Sequence, residues 1–324
     1  MSEQTQLTEQ LTEQTILPID TRNLHIKGRP LGSTIALGER MKMYEKLNET
    51  NLGRVNATDN FIIRLDGRSF SNFTSGFKQP FDKLFIQAMC YTTADLLDKF
   101  QCRTAYCHSD EITLIFSKQV PGKTGQLQTH PFDGRIQKLL SLTSSYCSVK
   151  FNYHLMRLIN DQEVRELYAD KFIDKINLCE QMFDARIIVF SELASHEIVN
   201  HQIWRSVFDC YRNAVSGYGH HYIGHLKCQY KSSKNMIDML ESKPDINFKW
   251  SEIPLYIKYG FYCKKELYDK EINGILIKRS KITFKNFKIT FSKQMVDLLL
   301  AKYWSDANES LVELIGSNID INNI

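Results

Sequence analysis

The chain has 324 residues, 43% of them hydrophobic, and carries 41 Lys and Arg residues against 37 Asp and Glu residues. This length can form one large domain or two ordinary domains with a substantial core, and the net charge of +4 excludes a generally polycationic protein. Any polyanionic partner must therefore meet a local basic patch.

Three features predict a cytoplasmic protein. The eight cysteines form no CxxC pair, as expected for reduced, mostly buried thiols. The sequence contains no run of 18 or more apolar residues, which a membrane-spanning helix would need. The opening MSEQTQLTEQLTEQT is polar and free of Arg, which disfavours a mitochondrial transit peptide, and residues 1–30 are predicted to be a disordered polar tail.

The first predicted elements are helix, strand and helix. LGERMKMYEKL has apolar residues at helical spacing and predicts an amphipathic helix. FIIRLDGRSF alternates in the manner of a strand and then reaches a glycine, so the strand should end near Asp66. A helix capped by Asp82 and running to Phe100 follows.

AYCHSDEITLIF predicts a β-hairpin with acids at its tip, because Ser109, Asp110 and Glu111 interrupt an apolar alternation that then resumes. The later predicted elements are a loop over 118–134, a helix from Ile136, a strand over 183–190 and a helix over 200–215. This interleaving predicts an α/β or α+β fold with helices on one face of a sheet.

Asp66 and Asp110 are candidate metal ligands. If their strands are neighbours, the two carboxylates repel each other unless a cation lies between them, and Mg²⁺ accepts carboxylates while leaving positions for phosphates. Two such ions would support phosphoryl transfer. Arg64, Arg68 and Ser109 would supply cations and a hydroxyl for a triphosphate. Each motif by itself is also typical of a solvated turn.

Four ordered motifs resemble the tRNA(His) guanylyltransferase-like family. They are LDGRSF at 65–70, HSDEITLIF at 108–116, FDAR at 183–186 and WRxxxDxxxN from Trp204 to Asn213. PFD at 80–82 and LGERMKMYE look like the Thg1-like branch, whose members repair RNA 5′ ends. The resemblance runs over about residues 31–240.

This resemblance implies a polymerase-palm-like (ferredoxin-like) fold: an antiparallel or mixed sheet with helices packed on it, and a C-terminal extension. Residues 31–182 would form the palm-like catalytic domain. Residues 183–324 would complete the fold and contribute to RNA binding.

The resemblance also implies which residues bind metal and substrate. Asp66, the carbonyl of Gly67 and Asp110 match positions that hold two Mg²⁺ ions, with Glu111 as an essential acid. The matching nucleotide-binding positions are Asp66, Gly67, Arg68, Ser69, Phe70, Ser71, Ser109, Asp110, Arg135, Lys138 and Asn213. Further candidates for substrate contacts are Arg64, Lys78, Arg186, Lys231 and Lys234.

The implied activity is template-dependent 3′–5′ addition of nucleotides to the 5′ end of tRNA, after ATP or GTP activates the 5′ phosphate. Enzymes dedicated to histidine tRNA have HINN where this chain has YRNA at 211–214, which favours 5′-end repair over addition of one G at position −1. A nucleotide cyclase and a non-catalytic tRNA-binding protein remain alternatives. The implied partners are tRNA, nucleoside triphosphates and further copies of the chain in a homotetramer.

The acid-free segment 272–296 carries phenylalanines and the cations Lys278, Arg279, Lys281, Lys285 and Lys288. Such a segment is typical of an RNA-binding surface, but equally of a hairpin whose rings pack inward while its lysines are solvated.

A second cluster consists of His220, His221, His225 and Cys228. Two histidines four residues apart on one helix could bind zinc, but the HExxH and CxxC frames are missing, and a packed or solvated helix is more typical.

Overall fold

A computed structural model of the chain describes residues 37–51, 53–122 and 125–324. The predicted tail at 1–30 lies outside the described residues. One six-stranded sheet is built from β1 (Asn60–Gly67), β2 (Thr104–His108), β3 (Glu111–Phe116), β4 (Phe183–Phe190), β5 (Phe261–Ile272) and β6 (Ile275–Lys285). Its strand order is β4-β1-β3-β2-β5-β6, and every neighbouring pair is antiparallel. The predicted mixed α and β fold with an antiparallel sheet is confirmed.

The helices are α1 (Leu37–Asn51), α2 (Phe70–Phe73), α3 (Lys83–Phe100), α4 (Ile136–Ile159), α5 (Gln162–Arg165), α6 (Asp170–Asn177), α7 (Glu197–Ile203), α8 (Tyr211–Tyr222), α9 (His225–Cys228), α10 (Ser233–Glu241), α11 (Leu255–Tyr259), α12 (Lys293–Leu300) and α13 (Glu309–Ile315). A π-helical segment, Trp204–Cys210, joins α7 to α8. The predicted cap of α3 is confirmed, since the Asp82 carboxylate accepts hydrogen bonds from the backbone N–H groups of Leu84 and Phe85. None of the helices in the described residues has the length and apolar character that a membrane span requires.

Strand alternation sends side chains to two different cores. Phe61, Ile63 and Leu65 of β1 belong to the larger core, which α3 and α4 cover. Ile62, on the opposite face, belongs to a second core that includes residues of α7 and α12. Helices therefore lie on both faces of the sheet, and the prediction that they lie on one face is wrong. Arg64 and Asp66 follow Ile62 on the second face.

The basic segment forms the second strand of a long ribbon. Only the first three residues of β5 pair with β2, so β5 and β6 continue as a two-stranded ribbon beyond the sheet. Phe284 and Phe287 are buried, so the rings pack inward. Lys285 is also buried and donates to the Gly316 carbonyl, whereas Lys278, Arg279, Lys281 and Lys288 are exposed.

The sheet joins strands from both sides of residue 182, where the sequence suggests a domain boundary. Strands β1 to β3 precede that point and β4 to β6 follow it. The division into a catalytic part and a C-terminal part stays a prediction.

Candidate active site

The two predicted acidic sites meet at one corner of the sheet. Strands β1 and β3 are neighbours, and Asp66 is the direct antiparallel partner of Glu111. A two-residue turn places Ser109 and Asp110 beside the end of β1, where the Gly67 N–H donates to the Asp110 carbonyl at 3.0 Å. We call Asp66, Gly67, Asp110 and Glu111 the acidic corner.

Negative charge accumulates at this corner. Burial is the largest cause that raises the pKa of Asp66 to about 6, followed by the charges of Glu111 and Asp110. The charge of Arg64 lowers the pKa of Asp66, but by less than burial and the neighbouring carboxylates raise it. Burial also raises the pKa of Asp110. A cation would relieve this repulsion.

Glu111 has its own counter-ion, which the sequence predictions did not include among the site residues. The Arg205 Nε donates to Glu111 Oε1 at 2.7 Å, and Arg205 Nη2 donates to Glu111 Oε2. Burial lowers the pKa of Arg205, but the charge of Glu111, its hydrogen bond and the charge of Asp209 together outweigh burial, so the pKa is raised. Glu111 is 2% exposed, so the pair is almost completely removed from water. The WRxxxDxxxN pattern was the available signal, but its arginine gave no indication of a partner.

Asp209 extends this pair into a network on the π-helical segment. It accepts from Arg205 Nη2 at 2.8 Å and from Arg212. Burial raises the pKa of Asp209, but His108 and the two arginines outweigh it, and the pKa falls to about 2. The Nε2 of His108 lies 3.9 Å from the Asp209 carboxylate, so this buried histidine faces the network rather than solvent.

In the described part of the chain, three possible metal-ligand side chains come within 4.8 Å of one another at one place, formed by His108, Glu111 and Asp209. Arginines already neutralise both carboxylates there. The acidic corner fits Mg²⁺ better, because Asp66, Asp110 and the Gly67 carbonyl are hard oxygen donors with excess negative charge.

A cavity of about 220 Å³ opens beside the turn of the hairpin. Lys78, Ser109 and Asn213, three of the predicted substrate-contacting residues, all line it. Apolar walls come from the segment before α3 and from α11, including Phe81 and Tyr256. The cavity therefore offers polar groups next to the acidic corner together with apolar surface, which suits a nucleotide.

The predicted nucleotide-binding segment after β1 turns sharply. Ser69 has a left-handed backbone (φ 58°), and the Arg68 N–H donates to the Met182 carbonyl at 2.8 Å. Arg68, Ser69 and Ser71 are exposed. The Phe70 side chain is buried among core phenylalanines, so Phe70 can offer a nucleotide only its backbone.

The other predicted site residues lie on β1, on β4, at the start of α4 and near the start of α10. Arg64 and Arg186 are direct partners on β1 and β4, on the face that carries Asp66.

Arg135 and Lys138 lie exposed at the start of α4, and Arg135 donates to the Phe132 carbonyl. No hydrogen bond or ion pair between described residues joins this basic pair to the acidic corner. Lys231 and Lys234 are exposed near the start of α10.

The histidine cluster does not form the pair on one helix from which zinc binding was considered. Gly224, with φ 99°, separates α8 from α9, so His221 and His225 are on different helices. The rings of His220 and His225 lie 4.7 Å apart, and Cys228 is buried in a small core.

A family model described as tRNA(His) guanylyltransferase matches residues 38–191. An uncharacterized protein of Acanthamoeba polyphaga mimivirus is 42% identical over 274 residues, which is 83% of this chain and 90% of that protein. The region that the family model matches contains the acidic corner and the strand FDARIIVF.

Solved structures agree with this family. A bacterial tRNA(His) guanylyltransferase-like protein in complex with ATP is 25% identical, with a TM-score of 0.53 over 76% of this chain and 91% of that one. A bacterial tRNA(His) guanylyltransferase-like protein in complex with GTP is 26% identical, with a TM-score of 0.51 over 76% of this chain and 90% of that one. The tRNA(His) guanylyltransferase from Saccharomyces cerevisiae, at 16% identity, a TM-score of 0.50 and coverage of 72% and 94%, shows the fold alone. The chain belongs to the tRNA(His) guanylyltransferase-like family of nucleotidyltransferases.

Proposed function

We propose that the chain adds nucleotides to the 5′ end of truncated tRNA in the 3′–5′ direction, with the opposite strand as template. The convergence of Asp66, Gly67 and Asp110 at one corner carries the proposal, because these oxygen donors are what phosphoryl transfer with Mg²⁺ requires. The bacterial relatives in complex with ATP and GTP support nucleoside triphosphates as substrates.

Asp66, the Gly67 carbonyl and Asp110 would hold two Mg²⁺ ions. When bound, these ions supply positive charge that stabilises the transferring phosphate and lowers the pKa of the attacking hydroxyl. Ser109 and Asn213, with Lys78 as a further cation, orient a nucleotide in the adjacent cavity. Arg205 keeps Glu111 in one orientation, because the guanidinium holds both carboxylate oxygens.

The reaction that this arrangement would serve has two transfers. ATP or GTP first activates the 5′ monophosphate of the RNA and releases pyrophosphate. The 3′-hydroxyl of an incoming nucleotide then attacks the activated phosphate and displaces the nucleoside monophosphate. An RNA with a 5′ triphosphate needs no activation, because pyrophosphate is already the leaving group.

Repair is favoured over fixed addition of one G by the residues at 211–214. Tyr211 packs against Trp250 and Tyr259, and the Arg212 guanidinium is paired with Asp209. Asn213 and the buried Ala214 line the cavity that we assign to the nucleotide. In this proposal, the base of each added nucleotide is selected by pairing with the template strand.

The test supplies 5′-truncated tRNAs with monophosphate or triphosphate ends, together with one nucleoside triphosphate at a time. We expect each added base to follow the opposite strand, and to change when that strand is changed. Asp110→Ala should abolish addition, whereas Asp174→Ala, an exposed aspartate on α6, should not. Addition of G regardless of template would refute the repair assignment, and a cyclic product from ATP without RNA would indicate a cyclase.

A further inference from the structure

A second cavity lies at the opposite end of the sheet from the acidic corner. Arg103 precedes β2 and Asp110 follows it, so roughly 20 Å of strand separates the two places at about 3.3 Å per residue. The volume of this cavity is about 300 Å³. Its charged lining residues are Arg103, Lys265 and Lys302, and none of the described residues that line it is acidic.

The environment of these cations differs from that of the cations on the ribbon. On the ribbon, Lys278 is the direct partner of Asp269, and Lys281 lies 3.8 Å from Glu266. Those lysines therefore have carboxylates beside them. In the second cavity Lys265 alone has a carboxylate nearby, that of Asp98 outside the lining, so the mutual repulsion of the three cations favours an anion in the cavity.

One of the three cations has a structural explanation. Lys265 donates to the Gln101 side chain at 2.9 Å and lies 3.5 Å from the Asp98 carboxylate, at the C-terminal end of α3. A cation is favourable at that end of a helix. The Arg103 guanidinium has no hydrogen bond or ion pair with a described residue, although the Arg103 backbone N–H donates to the Ile115 carbonyl at 2.7 Å, and the Lys302 ammonium contacts the Tyr303 ring. These two cations remain available.

The polar and apolar groups around the cavity indicate a phosphate group without a base. Ser117, Gln119 and Thr129 add hydroxyl and amide groups to the lining. The aromatic ring in the lining, Phe116, is 3% exposed and stacks on Phe61 in the core, so it offers no face to a nucleobase. A backbone phosphate of RNA meets these conditions, because its base can lie outside.

We propose that Arg103, Lys265 and Lys302 form a phosphate-binding site for the RNA backbone, far from the reacting 5′ end. This assignment rests on the proposed function for the identity of the RNA. The site would hold a tRNA body while its 5′ end occupies the acidic corner. It would contribute affinity for long RNA without influencing which base is added.

The test uses the double variant with Arg103→Gln and Lys302→Gln, two residues at the surface. Lys118→Gln is the matched control, since Lys118 is near this end of the sheet but pairs with Glu192 and does not line the cavity. Binding of a fluorescent tRNA is measured between 50 and 300 mM KCl, concentrations chosen around the physiological value of about 150 mM. We expect about tenfold weaker binding and a salt slope lower by about 1 to 2 in the double variant only. Unchanged affinity and slope would overturn the site.

A second arm separates the sources of phosphate. Isothermal titration with ATP and with inorganic phosphate is repeated on the wild type and the double variant. Loss of an ATP or phosphate site in the double variant, with tRNA binding unchanged, would overturn the RNA assignment in favour of a free ligand.

Nucleotide addition is scored separately on the same samples. If the double variant binds tRNA weakly while the wild type adds no nucleotide, the phosphate site stands and the proposed function fails. If both proteins add nucleotides and bind tRNA equally, the phosphate site fails and the proposed function stands. A melting temperature equal to that of the wild type verifies folding, and Lys302→Gln alone replaces the double variant if it does not fold.

Discussion

Asp66 and Glu111 are direct partners in the antiparallel pairing of β1 with β3. Directly opposed side chains have Cβ atoms about 5 Å apart, and like charges in such a pair destabilise a sheet. Arg205 neutralises Glu111, whereas the pKa of Asp66 is raised to about 6. The site is therefore assembled at a cost to the stability of the metal-free protein, and that cost can be measured.

The substitution Asp66→Asn should stabilise the metal-free protein while it abolishes nucleotide addition. The folded-state pKa of Asp66 lies above its unfolded value of 3.8, so the ionised carboxylate costs stability as the pH rises from about 4 to about 6. Since Asp66 is partly exposed, solvent screening reduces the expected gain to about 1 kcal/mol at pH 8. Urea unfolding in EDTA measures the gain.

Addition of Mg²⁺ provides the control for this prediction. The ion should raise the melting temperature of the wild type and of Asp174→Asn, but not that of Asp66→Asn. Equal stabilisation of all three proteins by Mg²⁺ would show that the ion binds elsewhere.

The Arg205–Glu111 pair gives a second prediction. Arg205→Gln should destabilise the protein by about 3 kcal/mol, because the buried Glu111 carboxylate keeps only the more distant Arg64, at 3.9 Å, as a counter-ion. It should also lower kcat by about 100-fold with a smaller change in the nucleotide KM, since Glu111 loses its fixed orientation. Unfolding and steady-state kinetics measure the two effects.

A double variant separates structure from activity at this pair. Arg205→Gln combined with Glu111→Gln also removes the buried carboxylate charge, so stability should recover while nucleotide addition does not. Arg205→Lys should retain part of the activity. If the double variant is as unstable as Arg205→Gln, the guanidinium stabilises the fold through contacts other than Glu111.

Local patterns predicted the elements of the site because the relevant physics is local. Alternation located β1 and β3, and an aspartate at a helix start located the cap of α3. Asp66 and Asp110 converge because β1 and β3 are neighbours. The family resemblance predicted this convergence, because both aspartates match positions of one metal site.

The parts that the sequence did not predict depend on tertiary contacts. Arg205 reaches Glu111 across 94 positions of sequence, and no spacing rule indicates such a pair. The burial of Lys285 depends on the Gly316 carbonyl, which arrives from beyond α13. Alternation distinguishes the two faces of the sheet but does not reveal that α7 and α12 cover the second one.

Gly67 provides a prediction about backbone fit. A Cβ atom at this position would lie 2.5 Å from the ring of Phe70, which is itself packed in the core. Gly67→Ala should therefore displace the ring and cost about 1 to 3 kcal/mol of unfolding free energy. Gly53→Ala is the matched control, because nothing lies within 4 Å of its Cβ position. Equal stability of the two variants in urea unfolding would show that Phe70 moves aside without cost.

The last prediction concerns Lys264, which is 0% exposed on β5. Its Nζ donates to the carbonyls of Leu298 and Ala301, at 2.7 and 2.5 Å, where α12 ends. A neutral amine has two N–H donors, which match these two acceptors. Burial lowers the pKa of Lys264 to about 7.

The sign of the pH dependence follows from this lowered pKa. Between about pH 7 and 10.5 the unfolded chain holds a proton on Lys264 that the folded chain lacks, so stability from this residue rises with pH. The slope is at most about 1.4 kcal/mol per pH unit. Lys264→Met should lose this slope and also about 1 to 3 kcal/mol for the Ala301 carbonyl left without a donor, whereas the Leu298 carbonyl keeps the Ala301 N–H. Urea unfolding at pH 7, 8 and 9 should show the difference from the wild type growing with pH, whereas the exposed Lys42→Met should show none; parallel curves for wild type and Lys264→Met would mean that Lys264 remains charged in the fold.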